Sequence, residues 1–384
     1  MNEDRDTKSF GSLVARRKLG WAPGAETAPY VGLEHIPPYQ LRLAGTGTSD
    51  DVASNKTRFL SGDVLFGKLR PYFQKIVRPT FDGVCSTDIW ALYTLDPSVL
   101  SQSYLHWLVA DPLFSDFANS AETGTRMPRA NWTWVENYVV ELPTLRTQNR
   151  ITEVLDTIDE LANIAEAVRT SSASAAQLIV ATAEASCSVG QLAVTSRKQW
   201  NPSTGADQLV DHYSLPAYDT RMEPDRVLGS EVASNKLQVA EPSVLFSRLN
   251  PSTNRTWLCH PLGESEISVC STEYAVLRPL SMSVEALWAA LSSGELGEQL
   301  AVTTTGTSAS HQRVNEDALM ASVVPDPRSL SDVERDEVEV LMAVYVTKTR
   351  ELRNLYQTRD FLLPHLISGE LRVQSAEELA EGYA

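Results

Sequence analysis

Four side chains at two matching places raise the question of chemistry. Lys68 and Arg70 stand in VLFGKLRP, residues 64–71, while Arg248 and Asn250 stand in VLFSRLNP, residues 244–251. Each pair follows an apolar triplet and precedes a proline, the pattern of a buried strand ending in a turn. Basic groups at such an edge can hold phosphates, and Arg and Asn can read base edges, Arg suiting guanine and Asn adenine. The competing reading is a solvated strand edge. Further on, TGT triplets at 123–125 and 305–307 precede unlike polar residues, Arg126 and Arg129 in one place and Ser308, His311, Gln312 and Arg313 in the other. Like scaffolds carrying unlike loops suit two half-sites of different sequence.

The elements that must position these residues are duplicated. VASNK occurs at 52–56 and 232–236, VCSTD at 84–88 is answered by VCSTE at 269–273, and Leu142-Pro143 returns as Val324-Pro325. Matches in constant order at near-constant offset mean two copies of one module. Each copy opens with short β-like runs, turns helical around 101–117 and 284–300, and so mixes a sheet with a few helices. Trp132 and Trp134 read as packing residues of a following strand. Ser54, Asn55 and Lys56, with Ser234, Asn235 and Lys236, suit either a structural turn or a phosphate contact.

After each module the period changes. Ile151, Ile158 and Ala165 stand seven apart, with Val154, Leu161 and Val168 at the other heptad position. In the second segment Leu341, Val344, Leu352, Leu355 and Leu362 form the stripe, interrupted by Lys348, and Pro364 and Gly369 are expected to end or bend the helix. The expected boundaries are 1–145 for the first module, 146–186 for a central amphipathic helix, 187–327 for the second module, 328–370 for a C-terminal amphipathic helix, and 371–384 for an acidic tail.

Composition excludes some classes. No stretch of about 18 apolar residues is present, and MNEDRDTKSF lacks a secretory core, so a cytoplasmic protein is expected. Cys85, Cys187, Cys259 and Cys270 include no CxxC pair and read as buried thiols, and His106, His260 and His311 lack ligand spacing, so no metal is expected. The net charge of −16 opposes phosphate binding, yet residues 1–140 carry 14 basic and 15 acidic side chains. An amino-methyltransferase needs an Asn/Asp-Pro-Pro-aromatic loop, but IPPY at 36–39 has Ile36 at the polar place, and NPST at 201–204 and 250–253 lacks the second proline. GTGTSD at 45–50 is a Gly-Thr turn, and there is no GxxxxGK(S/T) phosphate loop. A stand-alone enzyme is disfavoured.

YVGLEHI at 30–36, GDVLFGKLRPY at 62–72, FDGVCSTD at 81–88, LPTLRTQNRITEVLDTID at 142–159 and FLLPHLISGELRV at 361–373 resemble the specificity subunit of type I restriction-modification systems. HYSLPAYD at 212–219, VLFSRLNP and CSTEYAVL at 270–277 are similar to that family's target recognition domains. The sequence departs from the family in its acidity and in the Ala-rich SSASAAQLIVATAEAS at 171–186. The resemblance implies an α+β fold, with two homologous target recognition domains joined by long antiparallel α-helices in a pseudo-twofold arrangement. It further implies a non-catalytic subunit that reads a bipartite site in double-stranded DNA. The helices, through Ile151, Val154, Ile158, Leu161, Leu341, Leu352 and Leu355, would bind two DNA adenine methyltransferase subunits and, through the assembly, restriction/translocase subunits. No cofactor is implied in this chain, while S-adenosylmethionine, ATP and Mg are implied for the partners. The alternative is a related interaction scaffold that has lost direct DNA binding.

Overall fold

The computed structural model describes residues 5–120, 127–261, 267–303 and 312–373. The chain forms two compact units, residues 1–163 with 354–384, and residues 164–353.

In the first unit a four-stranded antiparallel sheet runs Val14–Arg16, Ile89–Thr94, Val64–Gly67, Ile76–Val77. A five-stranded sheet runs Gly20–Trp21, Lys56–Phe59, Gly83–Cys85, Pro29–Val31, Gly47–Thr48, with the Pro29–Val31 and Gly83–Cys85 pair parallel. Asp6–Ser9 pairs with Val139–Leu142, tying the start of the unit's module to its end. In the second unit the same orders recur. The four-stranded sheet is Ala193–Ser196, Tyr274–Pro279, Ser243–Ser247, Thr256–Cys259, and Ser186–Ser188 pairs with Val323–Pro325. The five-stranded sheet is Gln199–Trp200, Lys236–Val239, Ile267–Cys270, Leu209–Tyr213, Asp225–Leu228, again with one parallel pair. Val64, Leu65 and Phe66, with Val244, Leu245 and Phe246, are fully buried because both faces of their strands are covered.

Serine hydroxyls cap matching helices. Ser101 accepts from the Tyr104 N–H ahead of Gln102–Ala110, and Ser283 accepts from the Ala286 N–H ahead of Val284–Leu291, each 3.1 Å away. In the repeated Ser-Asn-Lys, Lys56 and Lys236 each donate to the hydroxyl and carbonyl of the serine two residues earlier. All four thiols are free, and burial pushes Cys85 and Cys259 up to about 12. His106 is buried, and desolvation, with Arg78 and Arg359 adding to it, pulls its pKa down to about 3. Among the described residues no helix is long and apolar enough to cross a membrane.

The two long helices are Leu145–Ala181 and Asp332–Ser368, each of 37 residues and about 55 Å at 1.5 Å per residue. The first stops short of the expected 186, because Ser186 already belongs to a strand. The second begins in a capping box: Ser331 Oγ accepts from the Glu334 N–H, and Glu334 accepts from the Ser331 N–H. Of the two residues expected to end or bend it, Pro364 lies inside the helix and does not end it. Leu362, Leu363, Leu366 and Ile367 on either side are buried, and that packing holds the helical path through the missing N–H. The helix terminates at Gly369, whose φ of 79° suits glycine, and Arg5 donates to the Ile367 carbonyl at 2.6 Å.

Within the first unit the start of the central helix packs against the end of the C-terminal helix, with Ile151, Leu155 and Ile158 in one core with Leu362, Leu363 and Leu366. Within the second unit the converse halves meet, Ala173, Ala176 and Val180 with Val338, Met342 and Tyr345. The helices are therefore antiparallel in each unit. The seam differs from the expected stripe by one residue. Ile151, Leu155, Ile158, Ala162, Ala165 and Ala176 are buried, whereas Val154 is half-buried and Leu161 and Val168 are exposed. On the C-terminal helix Leu352 is buried, but Leu341, Val344 and Leu355 lie half-buried beside a seam of Val338, Met342, Tyr345 and Tyr356.

Each unit buries one arginine of a long helix. Arg359 meets Asp159 at 3.1 Å and the Tyr39 carbonyl at 3.2 Å, where Tyr39 has a φ of 60°. Burial pushes the Asp159 carboxyl up from its usual range, and Arg359 acts against that shift. In the second unit Arg169 meets Glu166 at 2.8 Å and the Met222 sulfur at 3.7 Å, where Met222 has a φ of 55°. In both units the arginine comes from the second half of a long helix and reaches a left-handed turn of the module.

Candidate functional site

The buried strand Val64–Gly67 delivers Lys68, Leu69 and Arg70 to a sharp turn. Arg70 is left-handed at φ 53° and ψ 64°, and Pro71–Phe73 then forms a short 3-10 helix. Ser243–Ser247 delivers Arg248, Leu249 and Asn250 in the same way, with Asn250 at φ 50° and ψ 67° ahead of Pro251–Thr253. Asn tolerates this conformation, whereas an Arg there costs about 1 kcal/mol or more. Backbone bonds hold it. Arg70 donates to the Pro128 carbonyl at 2.8 Å, and Ala130 donates back to the Lys68 carbonyl at 2.8 Å. Asn250 donates to the Gln312 carbonyl at 2.9 Å, and Val314 donates back to the Arg248 carbonyl at 2.8 Å. Isolated bridges join Leu69 to Arg129 and Leu249 to Arg313.

The structure thus brings Lys68, Arg70 and Arg129 together in one unit, and Arg248, Asn250, Gln312 and Arg313 together in the other. Arg126, Ser308 and His311, with both TGT triplets, lie outside the described residues. Arg129 and Arg313 are exposed, at 52% and 57% of their side chains. Arg70 Nε, Arg248 Nε and Asn250 Oδ1 are buried with no hydrogen-bond partner among the described residues.

Sequence reasoning missed three further parts. The first is a pair of carboxylates: Arg129 Nε lies 3.3 Å from Asp88 and Lys68 Nζ 4.0 Å from it, while Arg313 pairs with Glu273. These acids close the repeated VCSTD and VCSTE, whose pairing with the strand end no spacing rule reveals. The second is an asparagine cap. Asn131, two residues after Arg129, accepts from the Thr133 N–H, and Asn315, two residues after Arg313, accepts from the Asp317 N–H, starting the helices Trp132–Val135 and Glu316–Ala321. An Arg-x-Asn repeat at 129–131 and 313–315 was its signal. The third is a flanking basic segment, RRK at 16–18 and RK at 197–198. Arg16 lies 4.5 Å over the Trp132 ring, and Arg197 pairs with Glu316 at 2.8 Å. Burial lowers the Arg16 pKa, and Glu136 works the other way.

Trp132 and Trp134 are therefore helical, correcting the strand expected there. Trp132 packs on the core of the first unit, whereas Trp134 is exposed, stacked on Phe117 with centroids 5.3 Å apart. Asn131 caps that turn and prevents extension. His260 lies 3.0 Å from Glu285, and among the described residues no group of three or more His, Cys, Asp or Glu is placed to hold a metal.

No protein-family profile matches the chain. Over 119 residues it is 31% identical to the type I restriction enzyme EcoDI specificity subunit of Escherichia coli, a match spanning 30% of this chain and 26% of that relative. The S subunit of a type I restriction-modification system from M. genitalium shares the fold, with a TM-score of 0.52 over 95% of this chain and 96% of that one at 12% identity. The HsdS subunit of Thermoanaerobacter tengcongensis aligns over 97% of this chain and 98% of its own at 17% identity, with a TM-score of 0.41. In sequence over one stretch, and in fold over nearly its whole length, the chain is similar to the specificity subunits of type I restriction-modification systems.

Proposed function

We propose that the chain is the DNA-recognition subunit of a type I restriction-modification complex, cytoplasmic and without catalytic groups of its own. Residues 1–145 and 187–327 act as the two target recognition domains, each reading one half of a bipartite site. The observation that carries the reading is the repeated strand-end turn. The same backbone bonds present Lys68, Arg70 and Arg129 in one copy and Arg248, Asn250, Gln312 and Arg313 in the other. One scaffold with unlike donors and acceptors is what two different half-sites require. Methylation and cleavage fall to partners that carry S-adenosylmethionine, ATP and Mg, docked on the exposed faces of the long helices.

Salt-dependent binding of the complex assembled with methyltransferase subunits tests this. Lys68→Ala is expected to weaken binding to all duplexes alike, to reduce the slope of log K against log salt by about 0.9, and to leave the methylated sequence unchanged. A wild-type complex that assembles yet binds DNA with no salt dependence would favour the scaffold reading, to which the net charge of −16 points.

A further inference from the structure

Resting on that reading, we propose that Asp88 and Glu273 are specificity-determining residues. Each carboxylate holds the arginine of its returning loop, Arg129 or Arg313, away from DNA phosphates, so that only a half-site offering that arginine a base-edge acceptor draws it off. A carboxylate is the wrong charge beside a duplex, and chance placement in one copy would carry little weight. Here it recurs in both, at the end of the same five-residue repeat, against the arginine of the same loop. The serine two residues earlier fixes the main chain at the acid in each case, with Ser86 Oγ accepting from the Asp88 N–H and Ser271 Oγ accepting from the Glu273 N–H, both at 3.2 Å.

The side chains have no share in building the turn. It is the Asp88 main-chain carbonyl that accepts from the Lys68 N–H at 2.9 Å, and the Glu273 main-chain carbonyl that accepts from the Arg248 N–H at 2.9 Å. An amide replacement therefore keeps the backbone and removes only the charge. One copy uses the shorter acid and the other the longer, so the group that matters is the carboxylate and not its reach. Exposed ion pairs of this kind are weak enough to be exchanged. A phosphate brought up to Arg129 meets Asp88 as well and is repelled, whereas guanine O6 and N7 are neutral acceptors suited to Arg.

The measurement compares wild type, Asp88→Asn, Glu273→Gln, Asp88→Glu and Glu273→Asp, each in the assembled methyltransferase complex, by binding to non-cognate duplex across salt and by methylome sequencing. Each amide variant is expected to bind non-cognate DNA about 5–10-fold tighter, with the salt slope steeper by about 0.9 for one added phosphate contact. The methylated motif should degenerate in one half only, the half differing between Asp88→Asn and Glu273→Gln. The acid-for-acid variants should behave as wild type, which a merely structural role would not produce. A lost fold would weaken all binding, the opposite sign, and any such loss overturns the proposal. So do amide variants indistinguishable from a wild type that binds DNA with a bipartite motif, a result that leaves the reading of the site intact. A wild-type complex without salt-dependent binding overturns both.

Discussion

Ile158→Asp is expected to lower the stability of the chain itself by roughly 3–5 kcal/mol, before any partner is added. Ile158 is 5% exposed and shares the core of the first unit with Leu155, Leu362 and Leu366. Full burial of an isoleucine contributes about 1.5–3 kcal/mol, and an ionised carboxylate placed there adds its own desolvation cost. Three residues on, Leu161 is 44% exposed, and Leu161→Asp should change stability by less than about 0.5 kcal/mol. Urea melts of the two variants separate the internal seam from the outward face. If Leu161, Ile164 and Val168, all exposed on the central helix, carry the partner contact, Leu161→Asp should abolish assembly with methyltransferase subunits while the chain stays folded. Two variants with equal stability would place Ile158 outside the seam.

The second large effect concerns the two half-sites. Asn250→Gly removes the amide without straining a backbone at φ 50°, because glycine adopts left-handed angles freely. Combined with Arg313→Ala it should relax the sequence read in one half of the methylated motif. Each lost base-edge contact is expected to reduce discrimination by about 1–3 kcal/mol, or roughly 5–150-fold. Arg70→Gly should do the same in the other half, again without backbone strain. Methylome sequencing of cells expressing each variant reads the outcome directly. A motif that changes in both halves with one substitution would contradict the division of labour between the modules.

The duplication, the alternation of module and helix, and the strand-end turn were legible because they rest on local order. A repeat preserves spacing, a heptad preserves period, and a proline after an apolar run marks a turn in any context. The two copies of VLFGKLRP and VLFSRLNP accordingly occupy the same strand, the same left-handed residue and the same short helix.

What the sequence determined by itself about this protein is therefore its period, its twofold repetition and the chemistry of its strand ends. The tertiary structure alone decided which apolar face of each helix turns inward. The central helix carries two such faces, Ile151-Leu155-Ile158-Ala162 and Leu161-Ile164-Val168, and periodicity weighs them alike. The buried stripe begins with Ile151, Leu155 and Ile158 and continues through Ala162, Ala165, Ala173 and Ala176, while Leu161, Ile164 and Val168 stay exposed. On the C-terminal helix the seam is filled by Met342, Tyr345, Tyr356 and the Arg359 guanidinium, groups that a count of aliphatic residues passes over. The pairing of Asp88 with Arg129, and of Glu273 with Arg313, was likewise settled only in three dimensions. Those partners are 41 and 40 residues apart and meet because a loop returns to a strand end, a contact made by backbone hydrogen bonds that no side-chain pattern encodes.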